Sequence, residues 1–239
     1  MCAGLLQMPL SSIAFIPDGN RRFAQKKRLS LLDSYRLGTQ KAWQVIDWLK
    51  DYPSIKDGSF YTLSFENLSR NKVELSVLFK IFDKELDKAA KNPLFETEQM
   101  RVSFLGKPGQ LPKKLQQKMA SLEEQTREFR KKTIHLAVGY NGQSEIVDAA
   151  KKMAEQYQKG LVQLSDITVE SFSRFLYAPL PEPDLIIRTS GTQRLSGFLT
   201  YQSAYSELYF TEKYWPEFEQ TDLNSAIQSF ENRKRNFGK

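Results

Sequence analysis

The sequence predicts a single α/β domain, in which helices flank a central, mostly parallel sheet of about six strands. Short runs of branched and aromatic residues alternate along the chain with longer amphipathic segments, which is typical of such sheets. No Gly/Ser linker, repeat or low-complexity tract divides the chain, so we expect one domain over residues 1–239. Polar loops follow several predicted strands, where open α/β sheets carry their ligands.

The strands are predicted from short apolar runs. The first is rich in branched and aromatic residues and ends at Pro17, and the third is closed by a turn that begins at Gly106. The fifth follows a proline-rich approach. In chain order the predicted strands are 13–16, 59–64, 101–105, 133–138, 184–187 and 208–210.

The helices are predicted from apolar residues that recur at helical spacing. The first follows the loop after the first strand and runs to about residue 49. The helix over 72–91 is apolar on more than one stripe, which indicates either core packing or a slot for a hydrocarbon tail. The other predicted helices are 111–131, 143–158, 165–176 and 222–232.

Charge and composition limit the classes of function. The net charge of +7 and the isoelectric point near 9.3 favour phosphorylated substrates, an anionic membrane surface or nucleic acid as partners. No nucleic-acid-binding motif surrounds the basic clusters, so we predict no nucleic-acid partner. A single cysteine, Cys2, fits a reducing compartment. No apolar run approaches the roughly 20 residues that span a bilayer. We therefore expect a cytoplasmic protein, and peripheral membrane attachment stays open.

The loop after the first strand has the composition of a metal–diphosphate site. Asp18, Gly19, Asn20, Arg21 and Arg22 follow one another directly, ahead of a predicted helix. Backbone N–H groups at a helix start suit an anion, and glycine permits close approach. The carboxylate would hold a cation and the arginines would hold phosphate oxygens. The alternative is an ordinary strand–loop–helix junction with solvated arginines.

The loop after the fifth strand carries a second anion-binding pattern. Arg188, Arg194 and Ser196 supply guanidinium and hydroxyl donors that suit a diphosphate, although Arg188 can also be a structural ion-pair partner. Neither a GxxxxGK[ST] motif nor a GxGxxG motif that opens a helix competes with this interpretation. Glu207 is either a metal ligand or an exposed strand-end acid.

One histidine and one terminal cysteine give little support to zinc or to Ser–His chemistry. We interpret that histidine, His135, as a packed or hydrogen-bonded residue of the fourth strand. The expected metal is therefore a hard, oxygen-ligated one, Mg²⁺.

Six motifs carry a resemblance to a known family. They read Asp18-Gly19-Asn20-x-Arg22, Tyr61-Thr62-Leu63-Ser64-Phe65-Glu66-Asn67-x-x-Arg70, Gly139-Tyr140-Asn141-Gly142, Asp184-Leu185-Ile186-Ile187-Arg188-Thr189-Ser190-Gly191-x-x-Arg194-Leu195-Ser196-x-Phe198-Leu199, Gln202-x-Ala204-Tyr205-x-Glu207-Leu208-Tyr209-Phe210 and Trp215-Pro216-x-Phe218. In these motifs, over nearly its whole length, the chain resembles the cis-prenyltransferases of the undecaprenyl diphosphate synthase family. The resemblance implies a hydrophobic tunnel beside the sheet and a homodimer.

The resemblance also implies a reaction. An allylic prenyl diphosphate loses pyrophosphate with the help of Mg²⁺, and isopentenyl diphosphate adds to it, which gives a short- or medium-chain cis prenyl diphosphate. By matching motifs, Asp18 and Asn20 are the expected catalytic residues, and Asp18 and Glu207 are the expected metal ligands. The expected substrate-binding residues are Gly19, Arg21, Arg22, Phe23, Arg36, Ser64, Asn67, Arg70, Arg188, Arg194 and Ser196.

Several positions depart from the family pattern. Arg21 and Phe23 stand where the family usually has Gly and Trp. Thr39 stands where a His is expected, and the usual Arg is replaced by Tyr35 with Arg36 beside it. These changes leave two alternatives open, an irregular (non-head-to-tail) condensation and a non-catalytic partner subunit of a heteromeric enzyme.

Overall fold

A computed structural model describes residues 9–69 and 71–233 of the chain. Its described part contains one six-stranded sheet of order β3-β4-β2-β1-β5-β6, in which every strand pair is parallel. This confirms the predicted fold class. The strands are β1 (Ser12–Ile16), β2 (Asp57–Ser64), β3 (Met100–Leu105), β4 (Lys132–Tyr140), β5 (Leu185–Arg188) and β6 (Glu207–Phe210).

Eight α-helices cover the sheet within the described residues. They are α1 (Asn20–Lys27), α2 (Leu31–Trp48), α3 (Lys72–Ala89), α4 (Pro93–Thr97), α5 (Lys113–Thr126), α6 (Gly142–Gln158), α7 (Val169–Ser173) and α8 (Gln220–Glu231). A short 3-10 helix, Phe65–Ser69, follows β2. None of the described helices is long and apolar enough to cross a membrane.

The helix predicted up to residue 49 is in fact two helices. Arg28 takes a left-handed conformation (φ 53°) that ends α1, and the Ser30 side chain caps α2 by accepting from the Asp33 N–H. The helix predicted over 165–176 is reduced to α7, which is capped by Thr168. Helix α4 was not predicted, although its Asn92 cap and Pro93 are recognisable start signals.

The sheet supplies most of the core, because both of its faces are covered. Phe15 of β1 and Phe60 of β2 are fully buried, and their rings stack with centroids 4.9 Å apart. Burial of one such side chain stabilises the fold by about 1.5–3 kcal/mol. His135 is also buried, with Nε2 2.8 Å from Asp57 Oδ1, which confirms its interpretation as a hydrogen-bonded strand residue.

Strand order brings four polar loops to one edge of the sheet. Strand β1 pairs with β2 on one side and with β5 on the other, and β2 also pairs with β4. Parallel strands end at the same edge, so the loops that follow β1, β2, β4 and β5 are neighbours there. From β1 the chain passes to β2 on one side, and the later connection from β4 leads to β5 on the other side of β1. Open sheets form a ligand crevice where the strand order reverses in this way.

Candidate active site

Asp18 stands directly beyond the end of β1 and is held by two arginines. Its Oδ2 accepts from Arg188 Nη2 at 2.8 Å and lies 3.3 Å from Arg22 Nη2, while Oδ1 accepts from the Gly19 N–H at 2.7 Å. Partial burial raises the pKa of Asp18, but Arg188 together with the Gly19 N–H and Arg22 outweighs this and holds the pKa below its ordinary 3.8. The carboxylate is therefore ionised at neutral pH.

Gly19 allows the β1 loop and the β5 loop to meet. Its φ is +102°, and an added Cβ would lie 2.7 Å from both Ser190 Cβ and Tyr214 Cδ1. Thr189 joins the same loops, because its Oγ1 accepts from the Asp18 N–H at 2.9 Å and donates to the Asp18 carbonyl at 2.8 Å. Sequence reasoning did not single out Thr189, although its place directly after Arg188 was a usable signal.

Arg188 is the buried cation of the site, only 4% exposed. Besides Asp18, its guanidinium donates to Ser196 Oγ at 2.8 Å and to the Arg194 carbonyl. Its Nε is buried and has no hydrogen-bond partner among the described residues. Arg188 therefore orders the loop that carries Arg194 and Ser196, and it also lines the cavity described next.

A polar cavity of about 770 Å³ lies at this edge of the sheet. The predicted site residues that line it are Asp18, Asn20, Ser64, Asn67, Arg188, Arg194 and Ser196. Arg22 stands beside it and donates to the Ser190 carbonyl at 3.1 Å, to Ser190 Oγ and to Thr192 Oγ1 at 3.4 Å. Arg188 and Arg194, with hydroxyl and amide side chains and the carboxylates of Asp18 and Glu66, thus line a volume large enough for small phosphorylated ligands.

An apolar cavity of about 210 Å³ lies beside the sheet, between it and helices α2 and α3. Its deeper wall includes Ile46, Phe82, Leu86, Phe95 and Val102. Both cavities share the lining residues Pro17, Asn20, Tyr35, Tyr61, Thr62, Leu63 and Leu78. The polar cavity therefore continues into a hydrocarbon-like slot, the hydrophobic tunnel that the resemblance implied.

Phe23 and Arg21 do not line either cavity. Phe23 is buried, and its ring meets Tyr214 edge-on at 6.5 Å, so its role is packing rather than substrate binding. Arg21 is exposed on α1. Arg70 lies outside the described residues.

The geometry of α2 contradicts the prediction that Arg36 binds substrate. It is exposed and pairs with Asp33 at 3.6 Å, while Tyr35 and Thr39 of the same helix line the apolar cavity. Residues four apart share a helix face, and the neighbouring residue points about 100° away. A displaced arginine at position 36 therefore does not replace the arginine that the family places one residue earlier.

The structure also contradicts the prediction that Glu207 is a metal ligand together with Asp18. It begins β6 opposite Leu185, whereas Asp18 follows Ile16, the partner of Arg188 at the other end of β5. The two carboxylates thus lie toward opposite edges of the sheet, and Glu207 pairs with Arg233. Within one chain they cannot share a cation.

Tyr35 was missed as a site residue. Its hydroxyl donates to Glu74 Oε1 at 2.6 Å, and its side chain lines both cavities. Glu74 is a buried carboxylate in the first turn of α3. Tyrosine gives no local signal for such a bond, because the partners are far apart in sequence.

Asn20 depends on a glycine of α2. Its Oδ1 is buried without a partner among the described residues, and a Cβ added at Gly38 would overlap that oxygen. We expect Gly38→Ala to lower kcat about 10²-fold, because displacement of a positioned group by about 1 Å has that effect. Thermal stability should change little, since alanine suits a helix interior better than glycine does.

Turnover and thermal unfolding of purified Gly38→Ala check this expectation. Gly109→Ala is the matched control, because an added Cβ there meets nothing within 4 Å. Wild-type turnover in the Gly38 variant would show that the position of Asn20 is unimportant.

Comparisons with known proteins agree with this geometry. The family model described as "Putative undecaprenyl diphosphate synthase" matches residues 16–238. A geranylgeranyl-diphosphate-specific tritrans,polycis-undecaprenyl-diphosphate synthase of Pyrobaculum aerophilum is 39% identical over 240 residues, which cover 99% of each chain. An isoprenyl transferase of Thermotoga maritima is 39% identical over 95% of each chain.

A solved structure is similar as well. Lavandulyl diphosphate synthase from Lavandula x intermedia, in complex with dimethylallyl diphosphate, superposes with a TM-score of 0.90 at 32% identity. The match covers 95% of this chain and 97% of that one. With its parallel sheet, its arginine-rich polar cavity and these relatives, the chain belongs to the undecaprenyl diphosphate synthase family and is a prenyltransferase.

Proposed function

We propose that this prenyltransferase condenses an allylic prenyl diphosphate with isopentenyl diphosphate, releases pyrophosphate and forms a short- or medium-chain cis prenyl diphosphate. The observation that carries the proposal is the continuity of the two cavities. A diphosphate head needs cationic donors, and a prenyl tail needs an apolar slot. Here the polar cavity opens into the apolar cavity at Asn20 and Tyr35.

The two diphosphates would use different donors. Arg188, Arg194 and Ser196 form the isopentenyl diphosphate side of the polar cavity. Arg22 and the N-terminus of α1 form the allylic side, because no side chain caps that helix end and its first N–H groups suit an anion. Departure of pyrophosphate then proceeds against preorganised positive charge, which stabilises the negative charge that develops on the leaving group.

The residues present can bind Mg²⁺ if the ion is held jointly by a protein carboxylate and the substrate phosphates. Mg²⁺ is commonly bound by one or two carboxylates together with substrate phosphates. The described residues contain no group of three or more His, Cys, Asp or Glu side chains arranged for a metal, but Asp18 faces the polar cavity with an ionised carboxylate. Asp18 would hold the ion, which would supply charge neutralisation for the departing diphosphate.

Labelled isopentenyl diphosphate tests this function. The purified chain should incorporate the label with at least one allylic primer, and an excess of EDTA should abolish incorporation until Mg²⁺ is restored. No incorporation with any primer of about five to twenty carbons would overturn the proposal. Activity of the chain alone would also exclude the non-catalytic partner subunit.

A second reaction is favoured by one observation. Lavandulyl diphosphate synthase, which superposes on this chain with a TM-score of 0.90, was solved in complex with the five-carbon dimethylallyl diphosphate. An irregular condensation would join two five-carbon diphosphates. Label in a branched product from dimethylallyl diphosphate alone would support it, and a linear cis product that requires isopentenyl diphosphate would support the main proposal.

We also propose a homodimer. Around α6 and α7 the side chains of Val147, Leu161, Leu164 and Val169 are exposed by 52–68%, which supports a contact surface in this region. The sedimentation mass of the purified chain tests it, because a monomer would have 27.7 kDa.

Peripheral attachment to an anionic membrane is proposed from a groove of about 400 Å³ between α3 and α5. Lys72, Lys80 and Lys114 stand around Leu75 and Phe79 in this groove, and Lys114 pairs with Asp83 at 3.0 Å. Basic residues beside apolar ones suit an anionic lipid surface. Flotation with anionic vesicles but not with neutral ones is the expected result.

A further inference from the structure

The deep end of the apolar cavity carries an acid. Glu85 of α3 lines the cavity, and its side chain is 16% exposed. A carboxylate in an apolar wall is unfavourable unless its oxygens are hydrogen-bonded. Here Oε2 accepts from the indole Nε1 of Trp43 at 2.7 Å, and Oε1 accepts from Lys88 Nζ at 2.7 Å. Both oxygens are therefore occupied.

These contacts fix the orientation of the Trp43 ring in the wall of the cavity. The indole is held by Glu85 on one side, and its ring centroid lies 5.9 Å from that of Phe95. Two partners from different helices leave the ring little freedom to rotate. A pinned Trp is a rigid wall, unlike a flexible side chain that a growing ligand can push aside.

Trp43 stands away from the mouth that joins the two cavities. Gly38 lies beside Asn20 near the mouth, and five residues of α-helix, about 7.5 Å, separate it from Trp43. On α3, Leu78 belongs to both cavities and Glu85 follows seven residues later, about 10.5 Å along that helix. The Trp43–Glu85 pair therefore stands in the wall of the part of the slot away from the mouth, where Ala89 and Phe95 also line it.

The whole apolar cavity, to whose wall Trp43 and Glu85 belong, is small. A dry protein cavity of about 150 Å³ accommodates benzene, so roughly 210 Å³ holds about eight to ten carbons. The relative from Pyrobaculum aerophilum is named for an undecaprenyl product, which is a much longer chain. The wall of this cavity thus argues for a shorter product than that name indicates.

Resting on the proposed function, we infer that Trp43, pinned by Glu85, is the stop that sets the length of the prenyl product. Trp43 meets the end of the growing chain, and Glu85 acts through Trp43 as a positioning residue. Further five-carbon additions cease when the tail fills the small cavity that the fixed indole bounds, because the next unit then has no apolar volume to enter.

The test is the product-length distribution of wild type and Trp43→Ala with one allylic primer and excess isopentenyl diphosphate. The main product of the variant should lengthen by at least one five-carbon unit, with KM for isopentenyl diphosphate within about twofold of wild type. Trp48→Ala is the matched control, because Trp48 is an α2 tryptophan that lies outside the cavity lining.

Two further variants separate the effect of the Glu85–Trp43 hydrogen bond from that of the size of the Trp43 side chain. Glu85→Leu should broaden the distribution toward longer products, whereas Glu85→Gln keeps an acceptor for the indole and should retain the wild-type length. If Trp43→Ala does not fold, Trp43→Leu replaces it with the same expectation. Unchanged product length in folded Trp43 variants would overturn the inference, while absence of any product from wild type would instead overturn the proposed function.

Discussion

Asp18→Asn is expected to lower kcat about 10²- to 10³-fold, the range found when one preorganised electrostatic group is removed from an active site. The substitution keeps the shape of the side chain but removes the negative charge that would hold Mg²⁺ beside the departing diphosphate. Thermal unfolding should show a folded protein. Single-turnover rates with saturating substrates measure the effect on chemistry rather than on binding.

Asparagine is a sharper choice than alanine at this position. Arg188 is only 4% exposed and donates to Asp18, and asparagine keeps a side-chain oxygen that can accept this bond. Alanine would leave the buried guanidinium without any acceptor there and would lower stability together with activity. Asp33→Asn is the matched control, because Asp33 is 53% exposed and its partners, Ser30 at 2.6 Å and Arg36 at 3.6 Å, line neither cavity. Near-wild-type turnover in Asp18→Asn would show that the metal assignment is wrong.

The pKa of Asp18 adds a pH expectation to the same variant. Because Arg188 lowers the folded-state pKa below 3.8, the ionised form adds stability above that value, and this stability is lost as pH falls through the folded-state pKa. Between about pH 5 and 8, Asp18 stays ionised, so the ratio of wild-type to variant activity should be flat there.

Arg188→Lys is expected to lower kcat/KM for isopentenyl diphosphate about 10²-fold. Lysine keeps the charge, but it cannot reproduce a planar fork that reaches Asp18, Ser196 Oγ and the Arg194 carbonyl at once. The loop that carries Arg194 and Ser196 then loses its anchor. Initial rates over a range of isopentenyl diphosphate concentrations measure the change.

Arg36→Lys serves as the control for Arg188→Lys, because Arg36 is exposed and its partner is a surface carboxylate. The control should leave both KM values unchanged. If Arg188→Lys alters only stability, with kcat/KM at the wild-type level, Arg188 is a structural ion-pair partner, which is the alternative that the sequence left open.

The fold was predictable because its signals are local and repeated. Alternating apolar runs and amphipathic segments locate all six strands, and the rule for strand ends places the loops of Asp18 and Arg188 together. The break between α1 and α2 was missed because Arg28, which ends α1 with a left-handed backbone, has no turn signature, although Ser30 was a usable start signal for α2. Helix α7 is shorter than its apolar pattern indicates.

The site was less predictable wherever the role of a residue depends on the direction in which its side chain points. Asp18, Asn20, Arg188, Arg194 and Ser196 all line one cavity. Arg36 and Glu207, by contrast, were predicted by matching family motifs, and their positions on a helix face and at a strand start direct their side chains away from that cavity. The Tyr35–Glu74 and Trp43–Glu85 hydrogen bonds were beyond local reasoning, since each joins α2 to α3 across about 40 residues.

Mass spectrometry of the products from a panel of allylic primers tests the central claim most directly. With Mg²⁺ and isopentenyl diphosphate, wild type should yield prenyl diphosphates whose masses exceed that of the primer by whole five-carbon units, and Asp18→Asn should yield almost none. If no primer is extended, or if Asp18→Asn extends it as efficiently as wild type does, the two-diphosphate site described for this edge of the sheet is contradicted.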